Sequence, residues 1–159
     1  MMEQQKFSIR EARPGDIDAM LELIMELAVY EKQPEMVTVT REHFLESGFG
    51  AAPVWWALLA TSSDKDGSST QIVGMALYYI RYSTWKGQRM YLEDIIVKEA
   101  YRGRGIGTLL MDRLIQTARD KNLSGIAWQV LDWNEPAISF YRKYTKDFDG
   151  SWLNARLEL

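Results

Sequence analysis

The chain has 159 residues, 47% apolar and 26% charged, which argues for one domain with one core and excludes a disordered chain. Nineteen Lys and Arg against 22 Asp and Glu leave a formal charge of −3, so broad nucleic-acid binding is not expected, although a local basic patch could still hold one anion. The absence of cysteine excludes disulfides, cysteine zinc sites and cysteine nucleophiles, and the single histidine, His43, excludes a histidine-rich metal site and argues against a Ser-His-Asp triad.

The pattern predicts a first strand over Lys6–Ala12, then a turn at Pro14-Gly15-Asp16 with Asp16 as helix cap. Ile17, Met20, Leu21, Ile24, Leu27 and Ala28 recur at helical spacing and predict a helix to about Tyr30. Thr40 can cap a second, short helix ending at Gly48. Val54–Thr61 reads as a strand, the polar stretch Ser62–Thr70 as a hairpin loop, and Gln71–Tyr82 and Met90–Val97 as further strands. A loop over Glu99–Gly105 leads into a helix from Ile106 to about Lys121. Gly125–Leu131 reads as a strand, Glu135 to about Tyr144 as a helix, and Ser151–Leu157 as a last strand. Three successive strands suggest an antiparallel meander, and the strand–helix–strand over 90–131 suggests one parallel crossover. The expected fold class is therefore α/β, with a mixed, mostly antiparallel sheet flanked by helices in a single domain spanning 1–159. The start, MMEQQKFSIR, lacks the apolar core of a signal peptide, and no apolar run is long enough to span a membrane, so a cytoplasmic protein is expected.

The segment Tyr101-Arg102-Gly103-Arg104-Gly105-Ile106-Gly107-Thr108 joins a strand to a helix. Glycines at alternate positions let the backbone take conformations closed to other residues and let a ligand approach closely. Their N–H groups, with the positive end of the following helix, form an anion site, and Arg102 and Arg104 add charge where diphosphate oxygens would lie. The loop lacks the Gly-Lys-Ser/Thr ending of a P-loop. It also fits the dinucleotide fingerprint poorly, since Thr108 or Leu110 stands where that pattern wants a small residue. A plain strand-to-helix turn with solvated arginines is the other reading of the same residues.

Arg102-x-x-Gly105-x-Gly107, between a strand and a helix, resembles the acetyl-CoA signature of the GNAT superfamily of N-acetyltransferases. Tyr91-Leu92-Glu93-Asp94, Trp133-Asn134-Glu135-Pro136 and Phe140-Tyr141 look like its diamine (spermidine/spermine) and thialysine branch, as do Leu27-Ala28-x-Tyr30-Glu31 and Gly48-Phe49-Gly50. The resemblance covers about residues 6–145. It departs from that branch at Ile126-Ala127-Trp128-Gln129, where a histidine is common, and at Arg142-Lys143-Tyr144-Thr145-Lys146, where a Gly-containing turn is usual.

The resemblance implies a sheet that splays between the Tyr91–Val97 and Gly125–Leu131 strands. The pantetheine arm of acetyl-CoA would lie in that gap, against the backbone of Ile95, Ile96 and Val97. Residues Arg102, Gly103, Arg104, Gly105, Ile106, Gly107 and Thr108 would take the diphosphate. Asn134, followed by Pro136, would hold a pantetheine amide. As plain residues, Ile95–Val97 are a β-branched run that suits a core, and Asn134-Glu135-Pro136 is an ordinary helix start.

Chemistry sets three demands. A thioester carbonyl gathers negative charge as an amine attacks and needs an N–H donor. A lysine-like amine has a pKa near 10.4, so at pH 7 only about one molecule in a few thousand is unprotonated and a base must take its proton. Alternation along a strand turns Glu93 and Asp94 to opposite faces and predicts no carboxylate dyad; the resemblance selects Glu93 as the base. The leaving thiolate is helped by a proton donor, and the resemblance gives that part to Tyr141, which spacing alone would place on a core face. Tyr30, Glu31 and Trp85, with Glu93, form the expected acceptor wall, since aromatic and carboxylate groups suit a cationic amine; packing or a dimer contact would equally explain Trp85.

The expected activity is acetyl transfer from acetyl-CoA by direct attack onto a small primary amine: a diamine, a polyamine or a lysine-like amino acid. A cysteine-bound acetyl intermediate is excluded because there is no cysteine. No metal, nucleic-acid or membrane partner is expected, and the resemblance implies a homodimer. A protein-lysine or aminoglycoside acetylase, or a non-catalytic CoA-binding module, remain the alternatives.

Overall fold

The computed structural model describes residues 5–64 and 66–159; Met1–Gln4 of the charged start and Lys65 of the predicted hairpin loop lie outside them. The chain divides into two units, Met1–Trp128 and Gln129–Leu159.

The first unit holds β1 (Lys6–Glu11), α1 (Ile17–Tyr30), α2 (Arg41–Phe49), β2 (Trp56–Ser63), β3 (Thr70–Ser83), β4 (Gly87–Val97), α3 (Ile106–Asp120) and β5 (Ile126–Trp128). The sheet runs in chain order, β1-β2-β3-β4-β5. The first three junctions are antiparallel and β4–β5 is parallel, as the meander and the crossover predict. No helix among the described residues is long and apolar enough to cross a membrane.

Residues opposite one another in a ladder share a face. One face packs under α1 and α2: Met75, Leu77 and Ile96 join Ile17, Met20, Leu23, Phe44 and Trp55 in a single buried cluster. The other face lies under α3, whose Ile106, Leu110, Met111 and Leu114 are fully buried. Gly74 of β3 marks that contact, since a Cβ there would meet Leu110 Cδ1 at 3.4 Å.

Two local expectations resolve differently. Thr40 does cap α2, its hydroxyl accepting from the His43 N–H at 3.1 Å. Asp16 precedes α1 but makes no side-chain cap. Its carboxylate instead accepts from the Arg13 N–H at 2.7 Å and pairs with Arg10 of β1 at 2.7 and 2.9 Å. The Arg10 hydrogen bond holds the Asp16 pKa below its ordinary value. A charged partner and a turn amide together outcompete the helix end for the same oxygens.

The second unit holds α4 (Glu135–Tyr141), with Pro136 in its first turn. The helix closes a turn earlier than predicted, and Thr145 N–H folds back to the Tyr141 carbonyl at 3.1 Å. The last strand expected at Ser151–Leu157 does not form. Trp152, Leu153 and Leu157 are 79, 95 and 85% exposed. Leu153, Ala155 and Leu157 do alternate, but no strand of the sheet pairs with them, and a strand without a partner leaves its backbone groups unpaired.

Gly48 lets α2 close on the core. A Cβ there would fall 2.2 Å from the Trp55 ring, which is itself stacked on Phe44 at 4.6 Å between centroids. Gly48→Ala should therefore lower stability by about 1–3 kcal/mol despite alanine's better helix propensity. Thermal unfolding of the variant checks this; a rise in Tm would show that Trp55 yields freely.

Candidate active site

The site is built on a fault in β4. Leu77 of β3 stands opposite Asp94, whereas the next residue, Tyr78, stands opposite Leu92. Glu93 is thus an extra residue, a β-bulge. The backbone bonds agree. Neighbouring residues of a strand direct their N–H and C=O groups to opposite edges. Met90 N–H points to β5, donating to Gly125 at 3.0 Å, whereas Lys98 N–H points to β3, donating to Val73 at 2.8 Å. Both are even positions, so an unbroken alternation would turn them the same way.

Parallel pairing with β5 runs only from Met90↔Ile126 to Leu92↔Trp128. Beyond it the outer edge of β4 is open, and this is the expected splay. The Val97 carbonyl lies on that edge, accepting from Arg102 Nε at 3.0 Å. By alternation the N–H and C=O groups of Ile95 face the same way, whereas Ile96 turns its backbone to β3 and its side chain into the core.

The bulge also overturns the expectation that Glu93 and Asp94 must part. Asp94, opposite Leu77, lies on the α1 face. Burial, and then the charges of Glu93 and Glu31, push its pKa up to about 7. Glu93 acts on the same face. Burial and the Glu93 charge and hydrogen bond push the Tyr79 pKa up to about 12, and burial with the Glu93 charge raises Tyr91. Burial also raises Glu31, at the C-terminal end of α1. Three carboxylates and two tyrosines therefore answer to one field. A plain period of two does not bring Asp94 beside Glu93, because an inserted residue in a ladder leaves no mark in the hydrophobic pattern.

The glycine loop behaves as its composition requires. Gly103 and Gly105 take φ of 74° and 80°, and a Cβ at either would point into open space. Gly105 is the N-cap of α3, and Leu109 N–H makes the bond back to its carbonyl. The amides of Ile106, Gly107 and Thr108 thus have no intrahelical partner one turn back. The loop is strapped down: Tyr101 accepts a hydrogen bond from Gln71 and meets the Phe7 ring edge-on. Arg104 donates to Gln5 at 2.7 Å and lies 5.2 Å from the Tyr101 ring centre. Arg102 lies 5.4 Å from the Tyr30 ring centre, which ties the loop to the end of α1. Trp85 stands apart in solvent at the β3–β4 turn, 87% exposed.

In the second unit, Asn134 caps α4, its side chain accepting from the Ala137 N–H at 3.4 Å. Tyr141 is buried and packs edge-on against Phe140.

The family model of the acetyltransferase (GNAT) family matches residues 17–145. The chain belongs to the GNAT family. It is 43% identical over 136 residues to the thialysine N-epsilon-acetyltransferase of Bos taurus, covering 84% of this chain and 80% of that protein. The Mus musculus thialysine N-epsilon-acetyltransferase is 39% identical, with 94% and 91% covered. Among solved structures, an aminoglycoside N-acetyltransferase in complex with CoA superposes with a TM-score of 0.74 at 16% identity, covering 100% and 99% of the two chains. That likeness is one of fold. This GNAT chain is an N-acetyltransferase.

Because Asp94 favours its protonated form in the fold, its stabilising contribution is intact below its ordinary pKa of 3.8 and is lost as pH rises to about 7. The Tm advantage of Asp94→Asn over wild type should grow between pH 4 and 7 and level off above. Circular dichroism melts across that range test it; a difference independent of pH would mean Asp94 is not shifted.

Proposed function

We propose that this acetyltransferase uses acetyl-CoA to acetylate a small primary amine by direct attack in a ternary complex. The observation that carries the reading is the β4 bulge. It leaves a strand edge open and sets Glu93 and Asp94 beside it. The similarity to thialysine acetyltransferases supports the acceptor class.

The residues present suit the donor. Acetyl-CoA supplies an activated acetyl thioester. The amides over 103–108 and the Arg102 guanidinium hold the diphosphate, with Gly103 and Gly105 leaving room for close approach. Arg104, already joined to Gln5 and Tyr101, chiefly braces the loop. The backbone of Ile95 and Val97 pairs with an extended amide-bearing arm as an added strand would, and Ile96 anchors that stretch from the core side. Asn134 and Pro136 complete donor recognition.

Glu93 takes the amine proton, directly or through water. Asp94, titrating at about 7, is matched to proton uptake at neutral pH. Tyr30 and Glu31 attract and hold the cationic acceptor, and Trp85, exposed at the β3–β4 turn, offers an aromatic surface on the acceptor side. Tyr141 protonates the departing thiolate. The enzyme works as a cytoplasmic homodimer without metal, nucleic acid or membrane.

Free-thiol release with a panel of spermidine, putrescine, thialysine, lysine and a histone-like peptide tests the reading; activity confined to the peptide would replace it with protein acetylation. Glu93→Gln should cut turnover about a hundredfold at pH 7. The deficit should shrink toward pH 10, where the amine deprotonates itself, and a profile parallel to wild type would remove Glu93 from proton transfer. Tyr141→Phe should bind acetyl-CoA by calorimetry but acetylate at least about tenfold more slowly; full activity would defeat that role.

A further inference from the structure

The face that carries Glu93 carries cations at its other end. Arg81 of β3 stands directly opposite Arg89 of β4. Like charges placed directly across a ladder repel, so a fold does not gain by this pairing. Neither guanidinium is in an ion pair among the described residues. Arg89 Nε is buried without a hydrogen-bond partner among them. Gly125 makes room for that side chain, since a Cβ there would meet Arg89 Nη2 at 2.7 Å. Two cations, one with a buried donor unused, call for an anionic group from elsewhere.

What lies between the cations and Glu93 sets the length of a ligand. Arg81 sits over the Tyr91 ring, 5.4 Å from its centre. Tyr79 and Tyr91, opposite one another, hold their rings 5.2 Å apart. Arg81 and Glu93 act on both tyrosines with opposite sign. The two charges therefore flank one aromatic pair. At a strand rise of about 3.3 Å per residue, Arg89 and Glu93 stand about 13 Å apart, but the Arg81 guanidinium reaches over Tyr91 and so shortens the gap toward the roughly 7 Å between Tyr91 and Glu93. An extended lysine side chain sets its amine about 7 Å from its carboxylate, from bonds of about 1.5 Å. A polyamine would bring a second cation to the arginine end.

We propose that Arg81, assisted by Arg89, is a specificity-determining residue that binds the carboxylate of an amino-acid acceptor whose side-chain amine reaches Glu93 across the Tyr79–Tyr91 pair. The proposal rests on the acetyl-transfer reading of this site and names its acceptor class. Arg81 is exposed, so its replacement does not threaten the core.

The test compares kcat/KM, by thiol release, for lysine, ε-aminohexanoate and cadaverine, which is lysine without its carboxylate. Wild type should favour the two carboxylate-bearing amines. In Arg81→Gln the lysine-to-cadaverine ratio should fall about tenfold, through KM rather than kcat. Arg81→Lys should retain part of the preference, and Arg81→Glu should invert it toward the diamine. The same ratio in wild type and Arg81→Gln, or an equal loss for all three amines, would overturn the role of Arg81 and leave the acetyl-transfer reading standing. No thiol release by wild type with any of these amines would overturn both.

Discussion

One inserted residue organises this enzyme. Without Glu93 as a bulge, β4 would keep a single alternation from Gly87 to Val97, and β5 could pair along its whole length. With it, the backbone groups of the far half of β4 exchange edges. Asp94 then bonds inward toward β3, while Ile95 and Val97 present their amides and carbonyls outward. The same shift brings Asp94 onto the face where Glu93 acts. An open strand edge is ordinarily a hazard that invites aggregation. Here it lies between a glycine loop and a cluster of carboxylates, where an extended ligand can complete it.

The glycine loop and the end of α1 are joined rather than separate. Arg102 holds the Val97 carbonyl at the end of the open edge and stacks on Tyr30 at the end of α1. An anion that draws the guanidinium therefore acts on both a backbone group of β4 and a residue beside Glu31. Tyr101 and Arg104 hold the other half of the loop to Phe7, Gln71 and Gln5. The glycines supply the conformational freedom, and these side chains limit it to one arrangement.

The molecule keeps its apolar order and its electrostatic tension in different places. The α1/α2 cluster and the α3 face are filled by aliphatic, methionine and aromatic side chains. The unfavourable placements gather on the α1 face: Asp94 with its pKa pushed up to about 7, Glu31 and Glu93 nearby, and, nearer the hairpin, Arg81 facing Arg89. Burdens of that kind persist where a ligand relieves them.

Much of this was legible beforehand. Helices α1 and α3 declare themselves by apolar spacing, and the loop declares itself by glycines that only positive φ explains. Those are local properties, fixed by side-chain size and backbone sterics within a few residues. The last strand failed because a strand is defined by a partner, and residues 151–157 find none. Glu93 could be singled out by type and motif, but Asp94 could not, because a period of two assigned it to the wrong face. The bulge, the open edge, the raised Asp94 and the Arg81–Arg89 opposition all depend on which residue of β3 meets which residue of β4. Register is a relation between segments distant in sequence, so only the folded sheet decides it.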